Sequence, residues 1–152
     1  MEDLNHSNAI LLGGQHANPW IELFDSITDF QIYFPPSSDT RRIGKKWIVD
    51  THPEAGAKKI YSDQRDEYLH RTYAILAFLP SIDQNGYVLL AEGQNMPGTA
   101  AAAEFAMNST AMAPVLKKAR LPDGTIGPLS YRLVPHSNSD CVHGGIPFST
   151  FL

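Results

Sequence analysis

Apolar residues gather in a few short runs separated by polar, glycine-rich or proline-rich breaks, and these runs set the expected elements. Ile10-Leu11-Leu12 is a continuous apolar run closed by Gly13-Gly14, the pattern of a central strand covered on both faces. Asn18-Pro19 then starts a helix. Asparagine is a favoured N-cap, and proline at the first helical position gives up an N–H that would lack a partner anyway. Trp20, Leu23, Phe24 and Ile27 follow at helical spacing and predict one stripe facing a core. Glu22 and Asp25 fall on the opposite side, with Glu22 near the positive end of the helix dipole.

Phe30 to Phe34 alternates apolar and polar positions and reads as a strand stopped by Pro35-Pro36. Arg41 to Lys46 is a basic turn or edge strand, and Trp47-Ile48-Val49 is a strand halted at Asp50-Thr51-His52-Pro53. The polar stretch 54–69 offers one short strand near Ile60-Tyr61. Tyr73 to Leu79 is a second buried strand, reversing over Asn85-Gly86 and returning antiparallel as Tyr87 to Ala91. A second strand-to-helix junction runs from Glu92 to Gly98, with Thr99 as N-cap and Ala100 to Asn108 helical by propensity. Ser109 or Thr110 starts another helix, which tolerates Pro114 in its first turn and turns Met112, Val115, Leu116 and Ala119 inward. Leu129 to Val134 is the last strand, and 135–152 reads as an irregular tail.

The resulting order, β-α-β-β-(β)-β-β-α-α-β, predicts an α/β fold: a three-layer, Rossmann-like mixed sheet of about 5–6 strands with helices on its faces. Residues 1–152 form one domain, of a kind that suits a piece of a longer protein. The absence of regular βαβ alternation argues against a standard dinucleotide-binding fold.

Composition narrows this only a little. A chain of 152 residues with 43% hydrophobic and 18% charged residues is an ordinary soluble globule. Its net charge of −4 argues against a nucleic-acid surface. The single cysteine, Cys141, permits no internal disulfide and fits a reducing compartment. The longest apolar run, Ala74 to Pro80, is too short to span a bilayer. Met1 to Asn8 lacks a basic n-region, so cytoplasmic is the default expectation.

Chemistry concentrates in the two strand-to-helix loops. If Ile10–Leu12 and Val88–Ala91 run parallel, both loops open on one sheet edge, and their helix N-termini face one crevice. Gly13, Gly14, His16, Asn18, Gly93, Gly98 and Thr99 are then the expected ligand-binding residues, holding a small anionic or nucleotide-like ligand mainly by backbone. Neither loop carries Lys or Arg, and neither matches GxGxxG or a P-loop. None of the six histidines pairs with another His or a Cys at metal-ligand spacing; His136, Asp140, Cys141 and His143 lie close only within the expected tail. No GxSxG elbow is present, Glu104 reads as a solvated helix residue, and no cofactor or catalytic residue is expected. The pairs Arg41-Arg42, Lys45-Lys46 and Lys58-Lys59 read as edge-strand solubilisers.

Three functions compete. The first is a non-enzymatic sensor or effector domain for a nucleotide or anion. The second is an enzyme acting on a nucleotide or sugar phosphate through His16, Asn18 or Glu92. The third is a protein–protein or homodimer module using Trp47 or the apolar end Phe148 to Leu152.

The segments Ile10 to Phe24, His52-Pro53-Glu-Ala-Gly56, Tyr73 to Pro80 and Gly98 to Phe105 occur together in this order. Together they resemble an uncharacterised domain family of soil bacteria, notably acidobacterial proteins, marked by a strand followed by G-G-x-x-A-N-P-W-[IV]-E-L-F. The likeness runs from about Ile10 to Val134. The resemblance implies a sensor domain that often follows a winged-helix regulator-type region, and it supplies no known reaction or ligand. Relatives tend to carry an acid and a second glycine near the last helix start, where this chain has Ala100 to Ala103, which speaks against side-chain chemistry there. A looser similarity of the strand-Gly-Gly-Asn-Pro pattern is to Rossmann-like nucleotide-sensing domains, as analogy.

Overall fold

Two apolar runs joined by a tight reversal, Ala74–Pro80 and Tyr87–Gly93, pair as the antiparallel hairpin at the centre of the fold. The computed structural model describes residues 8–35, 46–53, 55–65, 70–137 and 148–151. Its elements in chain order are β1 (Ala9–Leu12), a 3-10 helix (Pro19–Ile27), β2 (Phe30–Tyr33), β3 (Trp47–Asp50), β4 (Ile60–Ser62), β5 (Gln64–Arg65), β6 (His70–Arg71), β7 (Ala74–Pro80), β8 (Tyr87–Gly93), α1 (Met96–Met107), α2 (Ser109–Ala119), β9 (Leu129–Ser137) and β10 (Phe148–Phe151). The basic run Arg41 to Lys45 and the group Asp140, Cys141 and His143 lie outside the described residues.

The large sheet is mixed, in the order β1-β8-β7-β9-β6-β5, with β10 paired to β9. A separate three-stranded sheet runs β2-β3-β4. Side chains alternate across β7 and β8 with the period of two that a pleated strand imposes. Ile75, Ala77, Leu79, Val88 and Leu90 form one core with Ile21 and Phe24 of the 3-10 helix and Ile32, Ile48 and Tyr61 of the small sheet. Ala74, Leu76 and Ala91 form the other, with Ala102 and Phe105 of α1, Val115 of α2 and Leu133 of β9. The class is α/β, but α-helices cover only one face of the sheet. The other face packs on the 3-10 helix and the small sheet. Parallel pairing is confined, among the described strands, to β1 with β8. Among the described residues no helix is long and apolar enough to cross a membrane.

Several expectations change. Among the described residues β1 is at the end of the sheet, not at its centre, and Ile10 and Leu12 on its helix side are 68% and 50% exposed. Residues 19–27 wind as a 3-10 helix, whose three-residue turn rotates the predicted stripe. Ile21 and Phe24, three apart, are buried, whereas Trp20, Leu23 and Ile27 are 40%, 45% and 51% exposed. The first α-helix begins earlier than Thr99, with Asn95 as its cap and Pro97 in its first turn. In α2, capped by Asn108, Pro114 lies inside the helix beyond the first turn. Val115 is buried there while Leu116 is exposed. The segment expected to be an irregular tail contains the end of β9 and all of β10, which pair antiparallel from Phe148↔Pro135 to Phe151↔Arg132.

One buried side chain ties the two sheets together. The Gln94 amide nitrogen donates to the carbonyls of Lys46 and Tyr61, each at 2.9 Å, and its oxygen accepts from the Tyr73 N–H at 3.0 Å. Replacing it strands three backbone groups at once. Gln94→Ala is therefore expected to lower the unfolding free energy by about 3 kcal/mol, read as a reduced urea midpoint with unchanged slope.

Candidate functional site

The parallel pairing of β1 with β8, from Ala9↔Val88 to Leu12↔Ala91, brings the two strand-to-helix loops to the same end of the sheet. Gly13 turns the first loop at φ +110°, a left-handed conformation suited to glycine, and its N–H still donates to Ala91 at 3.1 Å. The Gly14 carbonyl accepts from the N–H groups of Ala17 and Asn18 at 2.8 and 2.9 Å, closing a tight turn. Asn18 then caps the 3-10 helix by accepting from the Trp20 N–H at 3.2 Å. In the second loop the Asn95 side chain accepts from the Gly98 N–H at 2.9 Å, and its carbonyl accepts from the Thr99 N–H at 3.0 Å. A Cβ on Gly93 would stand 2.2 Å from the Thr99 nitrogen, so that glycine lets the helix start press onto β8.

The loops open at the same end of the sheet, and in them the N–H groups of Trp20, Gly98 and Thr99 donate to Asn18 and Asn95. Gly93, Gly98 and Thr99 serve helix packing and capping. Gly14 lies against Glu92 and Phe34, and His16 against Phe34. An edge-to-face contact of 4.1 Å joins the exposed His16 ring to Phe34, and Lys46 Nζ stands 5.0 Å from the centre of the same Phe34 ring.

Glu92 is the centre of that group. By register Glu92 stands opposite Ile75, which stands opposite Arg132 on its other side. All three side chains therefore point toward the small sheet. The Arg132 guanidinium lies 3.6 Å from the centre of the Tyr61 ring and 5.9 Å from that of Tyr73. Glu92 is 3% exposed, and its Oε1 has no hydrogen-bond partner among the described residues. That oxygen lies 3.6 Å from where a Cβ on Gly14 would stand, which places the first loop directly against the carboxyl.

Next to this carboxyl opens a cleft of about 380 Å³ lined by Gln15, Asp25, Gln31, Tyr33, Phe34 and Val49 among others. The Gln15 amide donates to the Asp25 carboxylate, and the Gln31 amide donates to the Asp25 carbonyl. Asp25, Gln31 and Phe34 are absent from the residues expected from sequence. A helix of 3.6 residues per turn placed Asp25 on a solvent face, and nothing local in the chain announces that β2 folds back beside it.

Burial pushes both carboxyls up. Glu92 rises from 4.5 to about 8, mainly by desolvation, with Asp25 raising it further and Lys46 opposing. Asp25 is raised by desolvation, which the Gln15 hydrogen bond counters and Glu22 reinforces. Glu92 is thus mostly protonated at neutral pH. The unfolded chain ionises Glu92 near pH 4.5 while the folded chain holds the proton to about 8. The stability this group confers is complete below pH 4.5 and is lost as pH rises to 8. In that window wild type should lose about 1.4 kcal/mol per pH unit relative to Glu92→Gln. Thermal melts of both proteins from pH 5 to 9 measure this, and parallel curves would remove the assignment.

No family model, no curated protein and no solved structure matches the chain.

Proposed function

We propose that the protein is a non-enzymatic small-ligand-binding domain whose ligand is a planar, hydrogen-bonding heterocycle of the nucleobase or nucleoside kind. The observation that carries this reading is the cleft of about 380 Å³ in which Gln15, Gln31 and Asp25 converge beside Phe34 and Tyr33. Its size is that of a small-molecule site, and its lining pairs aromatic surface with a few placed polar groups. Carboxamides and a carboxylate present both donors and acceptors to a ring edge, while Phe34 offers a stacking wall. The phosphate of a nucleotide contributes less. Both helix starts donate amides to asparagine caps, the Asp25 carboxyl lines the cleft, and among the described residues Lys46 is the cation over Phe34.

The raised pKa of Glu92 favours a second reading, turnover of the bound nucleoside with a protonated carboxyl near the site. It requires product formation that Glu92→Gln abolishes without abolishing binding.

The test is a thermal-shift panel of nucleobases, nucleosides, nucleotides and inorganic phosphate. A binder at a hundredfold excess over its Kd adds about 2.7 kcal/mol of stability. Nucleosides should raise the melting temperature, phosphate alone should not, and Gln31→Ala should abolish the rise. A flat response to every heterocycle would sink the proposal.

A further inference from the structure

Side chains hold together the reversal between β7 and β8. Ser81, 2% exposed, donates its hydroxyl to Asp83 Oδ1 at 2.9 Å, and the same Ser81 oxygen accepts the Gly86 N–H at 2.9 Å. Asn85 donates its backbone N–H to Asp83 Oδ1 at 3.1 Å and its side-chain Nδ2 to Asp83 Oδ2 at 3.0 Å. Two backbone bonds close the loop, from the Ser81 N–H to the Gly86 carbonyl at 2.8 Å and from the Gln84 N–H to the Ser81 carbonyl at 3.0 Å. Gln84 is held at φ +63°, the one non-glycine residue with positive φ among the described residues. Backbone of that kind persists only where its surroundings over-determine it.

Asn85 is the one asparagine in the chain followed by glycine. The backbone nitrogen of the next residue can close a five-membered ring onto the side-chain carbonyl carbon of an asparagine, and glycine, having no Cβ, opposes that closure least. Here both nitrogens of the exchange reach one carboxylate. The Gly86 nitrogen reaches Asp83 through the Ser81 hydroxyl, and Asn85 Nδ2 reaches it directly. A carboxylate, a hydroxyl and an attacking N–H in series form a base relay. The comparable pair Asp123-Gly124 is built differently. Thr125 donates twice to Asp123 Oδ1, at 2.9 and 2.6 Å, which favours the ionised carboxyl, a poor target for attack.

We propose that Asn85-Gly86 is a self-modification site, at which the turn converts asparagine to aspartate and isoaspartate with Ser81 and Asp83 as its acid–base groups. The Gly86 nitrogen attacks Asn85 Cγ and forms a C–N bond. Its proton passes to Ser81 Oγ as the Ser81 hydroxyl proton passes to Asp83. The Cγ–Nδ2 bond then breaks, Asp83 gives its proton to Nδ2, and ammonia leaves a cyclic imide. Serine and aspartate end as they began. Water, which reaches the exposed Asn85, hydrolyses either imide carbonyl. In the aspartate product a carboxylate replaces the amide donor facing Asp83, so a hydrogen-bonded pair becomes two like charges. In the isoaspartate product the main chain runs through Cβ and Cγ, which lengthens the reversal by one carbon. Both loosen the connection between the two central strands. No residue of the turn lines the cleft, so this inference stands apart from the ligand proposal.

Peptide mass mapping of protein aged at neutral pH, folded or in urea, tests the site. Conversion exchanges NH2 for OH and adds about 1 Da to the peptide holding Asn85; enzymatic carboxyl methylation detects the isoaspartate. Folded wild type should convert on the order of 10²-fold faster than protein in urea, the low end of what positioned acid–base groups contribute. Ser81→Ala removes the relay, and Asp83→Asn removes the base while keeping an oxygen acceptor in the turn. Either variant, where circular dichroism shows the native fold, should convert at the urea rate, and Asn85→Gln should abolish the mass change. The proposal is overturned by a folded wild type that gains no mass at this peptide or converts no faster than in urea. Folded variants of Ser81 and Asp83 that keep the wild-type rate, or a mass gain that survives Asn85→Gln, overturn it equally.

Discussion

The Gln94 side chain hydrogen-bonds three backbone groups from three segments in a place closed to water: the Tyr73 N–H and the carbonyls of Lys46 and Tyr61. Its own N–H donates to the Tyr73 carbonyl at 3.1 Å. Residue 94 thereby locks the exit of β8 to the entrance of β7 and hangs the small sheet from both. A buried polar group stabilises only when fully paired, and each partner here also needs Gln94. The requirement fixes where β3 and β4 sit over the large sheet. That in turn places Lys46, Phe34 and the cleft in front of Glu92.

The site draws its character from the same enclosure. A carboxyl at the end of β8 would stay ionised in water. Covered by the small sheet, with Asp25 near and Lys46 only partly compensating, it keeps its proton and offers a donor as well as an acceptor. Gly14 lies against that carboxyl: a β-carbon there would stand in ordinary contact with the Glu92 oxygen, at 3.6 Å. Thus a loop that reads locally as a turn lies beside a residue 78 positions away in the chain.

Features that depend on local chemistry were legible in the sequence. The hairpin of β7 and β8, the Asn18-Pro19 cap, the strand Trp47–Asp50 and the two α-helices all follow from apolar runs and their breaks. The parallel partnership of β1 and β8 was legible only as a condition on which the meeting of the two loops depended. What escaped was set by tertiary context. The apolar run at β1 resembles a central strand, yet coverage depends on what packs from elsewhere, and Ile10 and Leu12 stay exposed. The stripe Trp20, Leu23, Phe24 and Ile27 fits a 3.6-residue period, but the backbone chose a three-residue turn that buries Phe24 with Ile21 and leaves the other three exposed. Thr99 is a good cap by type; Asn95 is another, and the close contact at Gly93 selected the earlier start. Asp25 and Gln31 joined the site because β2 returns beside the 3-10 helix, a non-local event.

The pairing of β1 with β8 also orders events during synthesis. Ala9 is made first, and its partner Val88 follows 79 residues later. At ribosomal rates of about 5–20 residues per second, β1 waits roughly 4–16 seconds before any strand exists to receive it. An uncharged Ile-Leu-Leu segment spends that interval without its native neighbour, and the contact is among the most distant in the chain. β1 therefore docks late, onto a hairpin already formed from adjacent residues.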